Sequence, residues 1–248
     1  FLKDIKKGLP RNVKFDYIKK KNSPTIVKKR FLDHISNNKV LGVYKINYDS
    51  LEKKEEILFR NKLNKLLSKY DVVIVSDYGH GFISKISSKI ICKKSKYLAL
   101  NAQINAANVG YHSMRNYKKV DCVIINDREI HQEMREKNIK TEILMKKFSF
   151  EQKINNIIVT RGKEGALSYN KSKGKYNYCQ AFANTVVDKI GAGDAMLSLI
   201  ALCLKSKLSS ELSLLIASLA AAQSTEIIGN KESVSKIKIL KTLEHLLK

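Results

Sequence analysis

The string Asp188-Lys189-Ile190-Gly191-Ala192-Gly193-Asp194 precedes an apolar run and is the strongest chemical signal in the chain. Gly191, Ala192 and Gly193 are small enough for backbone to approach a ligand closely. The first N–H groups of the helix they open are unpaired donors at the positive end of its dipole. Such an arrangement is an anion hole suited to a phosphoryl group in transfer. Asp194, in the first turn, can take a proton from an attacking hydroxyl. The same residues also suit a plain helix cap on a tight turn. Thr160-x-Gly162-x-x-Gly165 follows an apolar run and could let backbone N–H groups reach phosphates, or could be a simple β-turn. Asn126-x-x-Glu129 sets two hard oxygen ligands three residues apart, suited to holding magnesium through water. A helix cap with its capping-box glutamate has the same spacing.

These residues need elements to position them, and the pattern supplies short buried strands alternating with helices. Strands are expected at 71–76, 97–100, 120–125 and 156–160, with an antiparallel extension at 166–170 and 176–182. Helices are expected at 51–69, 84–94, 127–137, 192–204 and 210–225, with a last amphipathic one ending near 247. That alternation implies an α/β doubly wound, mostly parallel sheet covered on both faces. Ligands then bind beyond the carboxyl ends of the strands, where Ser76–Gly81, Asn126–Glu129, Thr160–Gly165 and Asp188–Asp194 fall. Residues 25–33 and 39–48, separated by Ser36-Asn37-Asn38, read as a β-hairpin with Lys and Arg on alternate positions. It is either a lid or an edge hairpin whose lysines blunt its edge. No repeat or linker divides the chain, so one domain spanning 1–248 is expected, with 24–48 as the hairpin appendage.

Composition narrows the function classes. The 248 residues carry a formal charge of +24, yet only seven of the 47 basic residues are arginine. Arginine is the residue suited to bidentate recognition of bases and phosphates. Lysines spread from end to end argue for a compositional drift toward Lys, Asn and Ile and against a specific nucleic-acid partner. Cys92, Cys122, Cys179 and Cys203 form no C-x-x-C pair, which leaves free thiols as the expectation. The longest charge-free apolar run lies between Glu211 and Glu226. It falls short of the roughly 18 apolar residues that a membrane-spanning helix takes. A cytoplasmic chain without membrane partners is expected.

Taken together and in this order, N-x-x-E, T-x-G-x-x-G and D-x-x-G-A-G-D resemble the ribokinase-like carbohydrate kinases of the phosphofructokinase B type. Pro24-Thr25-Ile26-Val27-Lys28-Lys29-Arg30 and Ser76-Asp77-Tyr78-Gly79-His80-Gly81 are similar to the lid strand and the S-D-Y-G-K-G segment of heptose 7-phosphate kinases in that family. The resemblance runs from about Pro24 to the C-terminus. It implies a ribokinase-like fold, ATP and Mg2+, and phosphorylation of a hydroxyl of a sugar or sugar phosphate. By resemblance, Asp194 is the base and Gly191, Ala192 and Gly193 are the anion hole. Asn126 and Glu129 organise magnesium, Thr160, Gly162 and Gly165 line the nucleotide phosphates, and Ser218 falls near the adenine. Asp188, Ile190, Gly229 and Ser233 match positions that ligate a monovalent cation (K+) in some members. Lys28, Arg30 and Asp77 fall on the acceptor side. A homodimer through the hairpin and a fused nucleotidyltransferase domain are further implications. The chain departs from the pattern at His80 (Lys in relatives), at Lys189 (Thr), and at Asn101-Ala102-Gln103 and the segment 105–108. It also shows no strand and Gly-rich segment before the hairpin, so an N-terminally incomplete kinase is expected. The reading from another class is a nucleotide-binding pseudo-kinase or interaction module without turnover.

Overall fold

The computed structural model describes residues 2–35, 39–104, 108, 110–183 and 185–246. The expected hairpin turn at 36–38 lies outside them. Its strands are β1 (Val27–Leu32) and β2 (Lys39–Lys45), paired antiparallel as a separate two-stranded sheet. Directly opposed residues share a face. Lys28 therefore stands with Tyr44 and Arg30 with Gly42, while Lys29, Val43, Phe31 and Leu41 take the other face. A short N-terminal helix, α1 (Leu2–Gly8), carries no buried side chain, and the hydrophobic pattern does not predict it. The stretch after it runs without helix or strand along α2 (Lys53–Leu66), where Lys62 donates to Asp16 at 2.6 Å.

The main sheet has six strands in chain order: β3 (Val73–Asp77), β4 (Leu98–Ala102), β5 (Cys122–Asn126), β6 (Asn156–Thr160), β7 (Ala166–Asn170) and β8 (Lys175–Cys179). β3 to β6 are parallel, and β7 and β8 extend the edge antiparallel. Right-handed crossovers that always step the same way leave every connection on one face. Accordingly, α3 (Lys85–Lys94), α4 (Asp127–Met134) and α5 (Thr141–Gln152) pack on one side, in a core with Leu98, Leu100, Val123, Ile125, Ile157 and Val159. The other face, Ala99, Cys122, Ile124 and Ile158, is covered by α6 (Ala192–Lys205) and α7 (Ser210–Thr225). α8 (Lys236–Leu246) docks on α7 through Ile239.

The architecture is as expected: a mostly parallel sheet with helices on both faces, and a separate hairpin. Besides α1, the helices differ from expectation in two places. The one expected at 127–137 stops at Met134, where Arg135 adopts a left-handed backbone that ends a helix. α5 is not predicted by the pattern at all. Exposed Ile143 and Phe150 blur the periodicity of its buried Leu144, Met145 and Phe148. Each of those three contributes roughly 1.5–3 kcal/mol on burial.

Candidate active site

Strand alternation selects which side chains meet α6. On β3, Val75 and Asp77 are buried toward the α3 side, so Ser76 points to the opposite face. Ser76 is in register with Asn101 on β4, and Asn126 on β5 with Thr160 on β6. Ala99, Ile124 and Ile158, two residues before Asn101, Asn126 and Thr160, lie in the core beneath α6 and α7. Four polar residues thus line the carboxyl ends of four parallel strands on the face where α6 begins.

α6 starts on Gly191, whose left-handed backbone favours glycine. A glycine in that position brings no side chain to cap the helix. The first-turn N–H groups of Ala192, Gly193 and Asp194 therefore keep the unpaired donors an anion needs. Asp194 Oδ1 accepts from Ser76 Oγ at 2.9 Å and Oδ2 from Tyr78 Oη at 3.1 Å. Burial and the neighbouring carboxylate push the Tyr78 phenol up, keeping it a donor. A Cβ placed on Gly193 would lie 3.7 Å from Asn101 Nδ2, so Asn101 borders the helix start.

Ser76 and Tyr78 also line a cavity of about 490 Å3 whose other walls include Lys20, Pro24, Asn47 and His80. Lys20 Nζ donates to the carbonyls of Asn47 (3.1 Å) and His80 (3.2 Å), and burial lowers its pKa. Lys28 sits half-buried with its ammonium 5.3 Å from the Tyr78 ring centre, within reach of a cation–π attraction. Burial, followed by the Arg30 charge, lowers the Lys28 pKa. Arg30, one step farther along the same face, is exposed and lies over Tyr44 at 6.0 Å. The His80 ring stacks on Tyr78 with centroids 6.0 Å apart; burial, then the Lys28 charge, lowers its pKa.

Asp77 borders this cavity, but its carboxylate is turned to the α3 side. Oδ2 accepts from buried Tyr117 at 2.6 Å and Oδ1 from the Gly79 N–H at 3.0 Å. The strand period explains why Ser76 and Tyr78, named in the Ser76–Gly81 segment but given no role from the sequence, reach Asp194 and Asp77 does not. The alternation in Val73–Asp77 is the signal that could have found them.

Asn126 and Glu129 form the capping box of α4. Asn126 Oδ1 accepts from the Glu129 N–H at 2.9 Å, and Glu129 Oε2 accepts from the Asn126 N–H at 3.1 Å. Glu129 Oε1 accepts from the Ile104 N–H at 3.3 Å. Burial pushes the Glu129 carboxyl up, partly offset by these two backbone donors. At the β6 end, Thr160 is half-buried and Gly162 faces open space. Gly165 serves packing: a Cβ there would lie 2.1 Å from the Cys179 carbonyl, and its N–H donates to the Gly162 carbonyl at 3.1 Å. The Ser218 hydroxyl is buried on α7 beside the Cys179 thiol, which burial pushes up.

Asp188 ties two loops together. Its Oδ1 accepts from the Ile190 N–H and its Oδ2 from the Gly229 N–H, both at 3.0 Å. Ser233 is exposed. Among the described residues no group of three or more His, Cys, Asp and Glu could hold a metal alone. None of the described helices is long and apolar enough to cross a membrane.

The model of the pfkB family carbohydrate kinases matches residues 8–237. The chain is 30% identical over 178 residues to the bifunctional protein HldE of Campylobacter fetus subsp. fetus, covering 70% of this chain and 37% of that protein. It is 24% identical over 246 residues to the HldE of Campylobacter jejuni subsp. jejuni serotype O:2, covering 96% of this chain and 50% of that protein. The chain thus spans half or less of the length of these relatives. The ribokinase of Giardia lamblia superposes with a TM-score of 0.69 at 14% identity, over 90% of this chain and 73% of that one. The phosphofructokinase-2 of Escherichia coli in complex with potassium gives 0.66 at 14% identity, over 84% and 67%.

Proposed function

Because the chain belongs to the pfkB family of carbohydrate kinases, we propose that it transfers the γ-phosphoryl group of ATP to a hydroxyl of an anionic sugar, a sugar phosphate of the heptose 7-phosphate type. The observation that carries this reading is the placement of Asp194. Its carboxylate holds two hydroxyl donors, Ser76 and Tyr78, which line a cavity together with Lys20, and Lys28 stands over the Tyr78 ring. An acceptor hydroxyl that displaces one of those donors meets a base on one side and the uncapped N–H groups of α6 on the other. Phosphoryl transfer asks chiefly for such positioning and charge stabilisation, with a smaller contribution from the base.

Each residue then has a task. Asp194 takes the hydroxyl proton, and the amides of Gly191, Ala192 and Gly193 hold the oxygens of the phosphoryl group. Thr160 and Gly162 receive the nucleotide phosphates, Gly165 shapes that turn, and Ser218 lies on the adenine side. Lys28, assisted by Arg30 and Lys20, receives the anionic group of the acceptor, and Asp77 holds the loop that presents Tyr78. Magnesium, when bound with ATP, neutralises developing charge on the phosphates. Asn126 and Glu129 would organise its water shell, with Glu129 oriented by the backbone donors of Asn126 and Ile104. Asp188, Ile190, Gly229 and Ser233 would serve a potassium ion. The two backbone bonds to the Asp188 carboxylate support the joining of those loops.

The outer face of the hairpin, with Phe31, Leu41 and Val43 each about half exposed, supports pairing of two copies through it. The greater length of the bifunctional relatives supports a nucleotidyltransferase domain in a longer protein. Diffuse lysine charge supports no specific nucleic-acid partner, and a cytoplasmic location follows from the substrates. The test is phosphate transfer from ATP with magnesium to matched pairs of free and phosphorylated sugars. A kcat/KM higher for the phosphorylated member by about tenfold or more is expected for one charge-assisted contact. Equal values would remove the anionic-acceptor reading, and ATP binding without transfer to any sugar would favour a pseudo-kinase.

A further inference from the structure

We propose that Tyr78 is a positioning residue that couples the β1–β2 hairpin to the catalytic carboxylate: its ring carries Lys28 of the hairpin and its hydroxyl holds Asp194. The proposal rests on the reading of Asp194 as the base, and three contacts support it. Lys28 Nζ stands over the Tyr78 ring at 5.3 Å, Tyr78 Oη donates to Asp194 Oδ2 at 3.1 Å, and Ser76 Oγ holds the other oxygen at 2.9 Å. Ser76 belongs to the main sheet, whereas Tyr78 lies just past the strand end. Tyr78 therefore joins an appended two-stranded sheet to a residue on α6, which packs on the main sheet.

The Tyr78 ring is held from the sides as well. His80 stacks on it, Tyr48 meets His80 edge-on at 5.5 Å, and the Asp77–Gly79 bond fixes the loop. With the ring fixed, a hairpin shift that moves Lys28 changes the force on one side chain, and that side chain ends at the Asp194 carboxylate. Lys20 lines the cavity and Lys28 stands over the ring of Tyr78, another lining residue; the titratable groups facing Tyr78 in these contacts are Asp194 at the hydroxyl and, over the ring, Lys28 and His80.

The test follows the carboxyl resonance of Asp194 by carbon NMR at neutral pH in the full chain, assigned with Asp194→Asn. Tyr78→Phe keeps the ring and its volume but removes a donor to the carboxylate, so the resonance should be displaced and kcat should fall roughly 3- to 10-fold, the loss of one hydrogen bond, with KM for ATP nearly unchanged. Lys28→Met should also displace the resonance, and by less in the Tyr78→Phe background than in the wild type. An unmoved resonance in Tyr78→Phe would overturn the proposal. Equal Lys28→Met displacements in both backgrounds would reduce the link to through-space charge and overturn the coupling. Turnover separates the two readings. Full activity in Asp194→Asn sinks the base assignment alone, whereas an inactive Asp194→Asn with an unmoved resonance in Tyr78→Phe sinks the coupling alone.

Discussion

Glu129 is the residue whose structural and metal-organising tasks can be separated by measurement. Its carboxylate accepts from the N–H of Asn126 at 3.1 Å and from the N–H of Ile104, a buried residue, at 3.3 Å. Glu129→Ala leaves the Ile104 donor unsatisfied, at a cost of about 1–3 kcal/mol, and removes the part-buried Asn126 bond, worth about 0.5–1.5 kcal/mol. A loss of about 2–4 kcal/mol of unfolding free energy is expected on that basis. Glu129→Gln keeps one acceptor oxygen and should lose about half as much. The pH dependence has a definite sign. Burial raises the folded-state pKa above the ordinary glutamate value, so the folded protein binds the proton more tightly. Wild-type stability relative to Glu129→Gln therefore falls as pH rises from the ordinary value through the folded one. Urea denaturation of the three proteins at pH 4.5 and pH 7.5 measures both effects. An alanine variant within about 0.5 kcal/mol of wild type, below the cost of one orphaned buried donor, would refute the capping argument. A glutamine variant that stays folded but loses activity beyond its loss of stability would report the magnesium task separately.

Two further outcomes are expected. In Gly165→Ala the new methyl meets the Cys179 carbonyl at a position of positive φ; it should destabilise by about 2–4 kcal/mol, and a melting temperature within about 2 °C of wild type would contradict it. Lys28→Met should raise KM for a phosphorylated acceptor about tenfold while leaving KM for ATP within about twofold, as expected for one charge-assisted contact in a half-exposed site; a change confined to the ATP side would move Lys28 out of the acceptor cavity.

Much of the sheet was legible because buried parallel strands read as short continuous apolar runs. Asn156–Thr160 and Ala166–Asn170 fall where expected, and Gly191 opens the helix that carries Asp194. The less legible part depends on which face a side chain takes. Asp77 has the residue type of a ligand, but β3 alternation turns it to Tyr117 and leaves Ser76 and Tyr78 to meet Asp194. Asn126 and Glu129 were open to two readings at one spacing, and the structure realises the capping box. Lys20 carries no motif. Its place in the cavity comes from a stretch without regular structure, tied to Asn47 and His80, and periodicity is blind to such a stretch. α5 was hidden by apolar residues on both its faces.

The most direct test of the central claim is turnover by Asp194→Asn with ATP, magnesium and a responsive sugar phosphate. Asparagine keeps the shape and suits the start of a helix as well as aspartate does, but it is not a base. If Asp194 takes the acceptor proton, kcat should fall by about 10²–10⁴-fold with ATP affinity nearly unchanged. If Asp194 only begins the helix, the variant should turn over and melt like the wild type. Retention of more than about half the wild-type kcat would contradict the account, given the size of a general-base contribution.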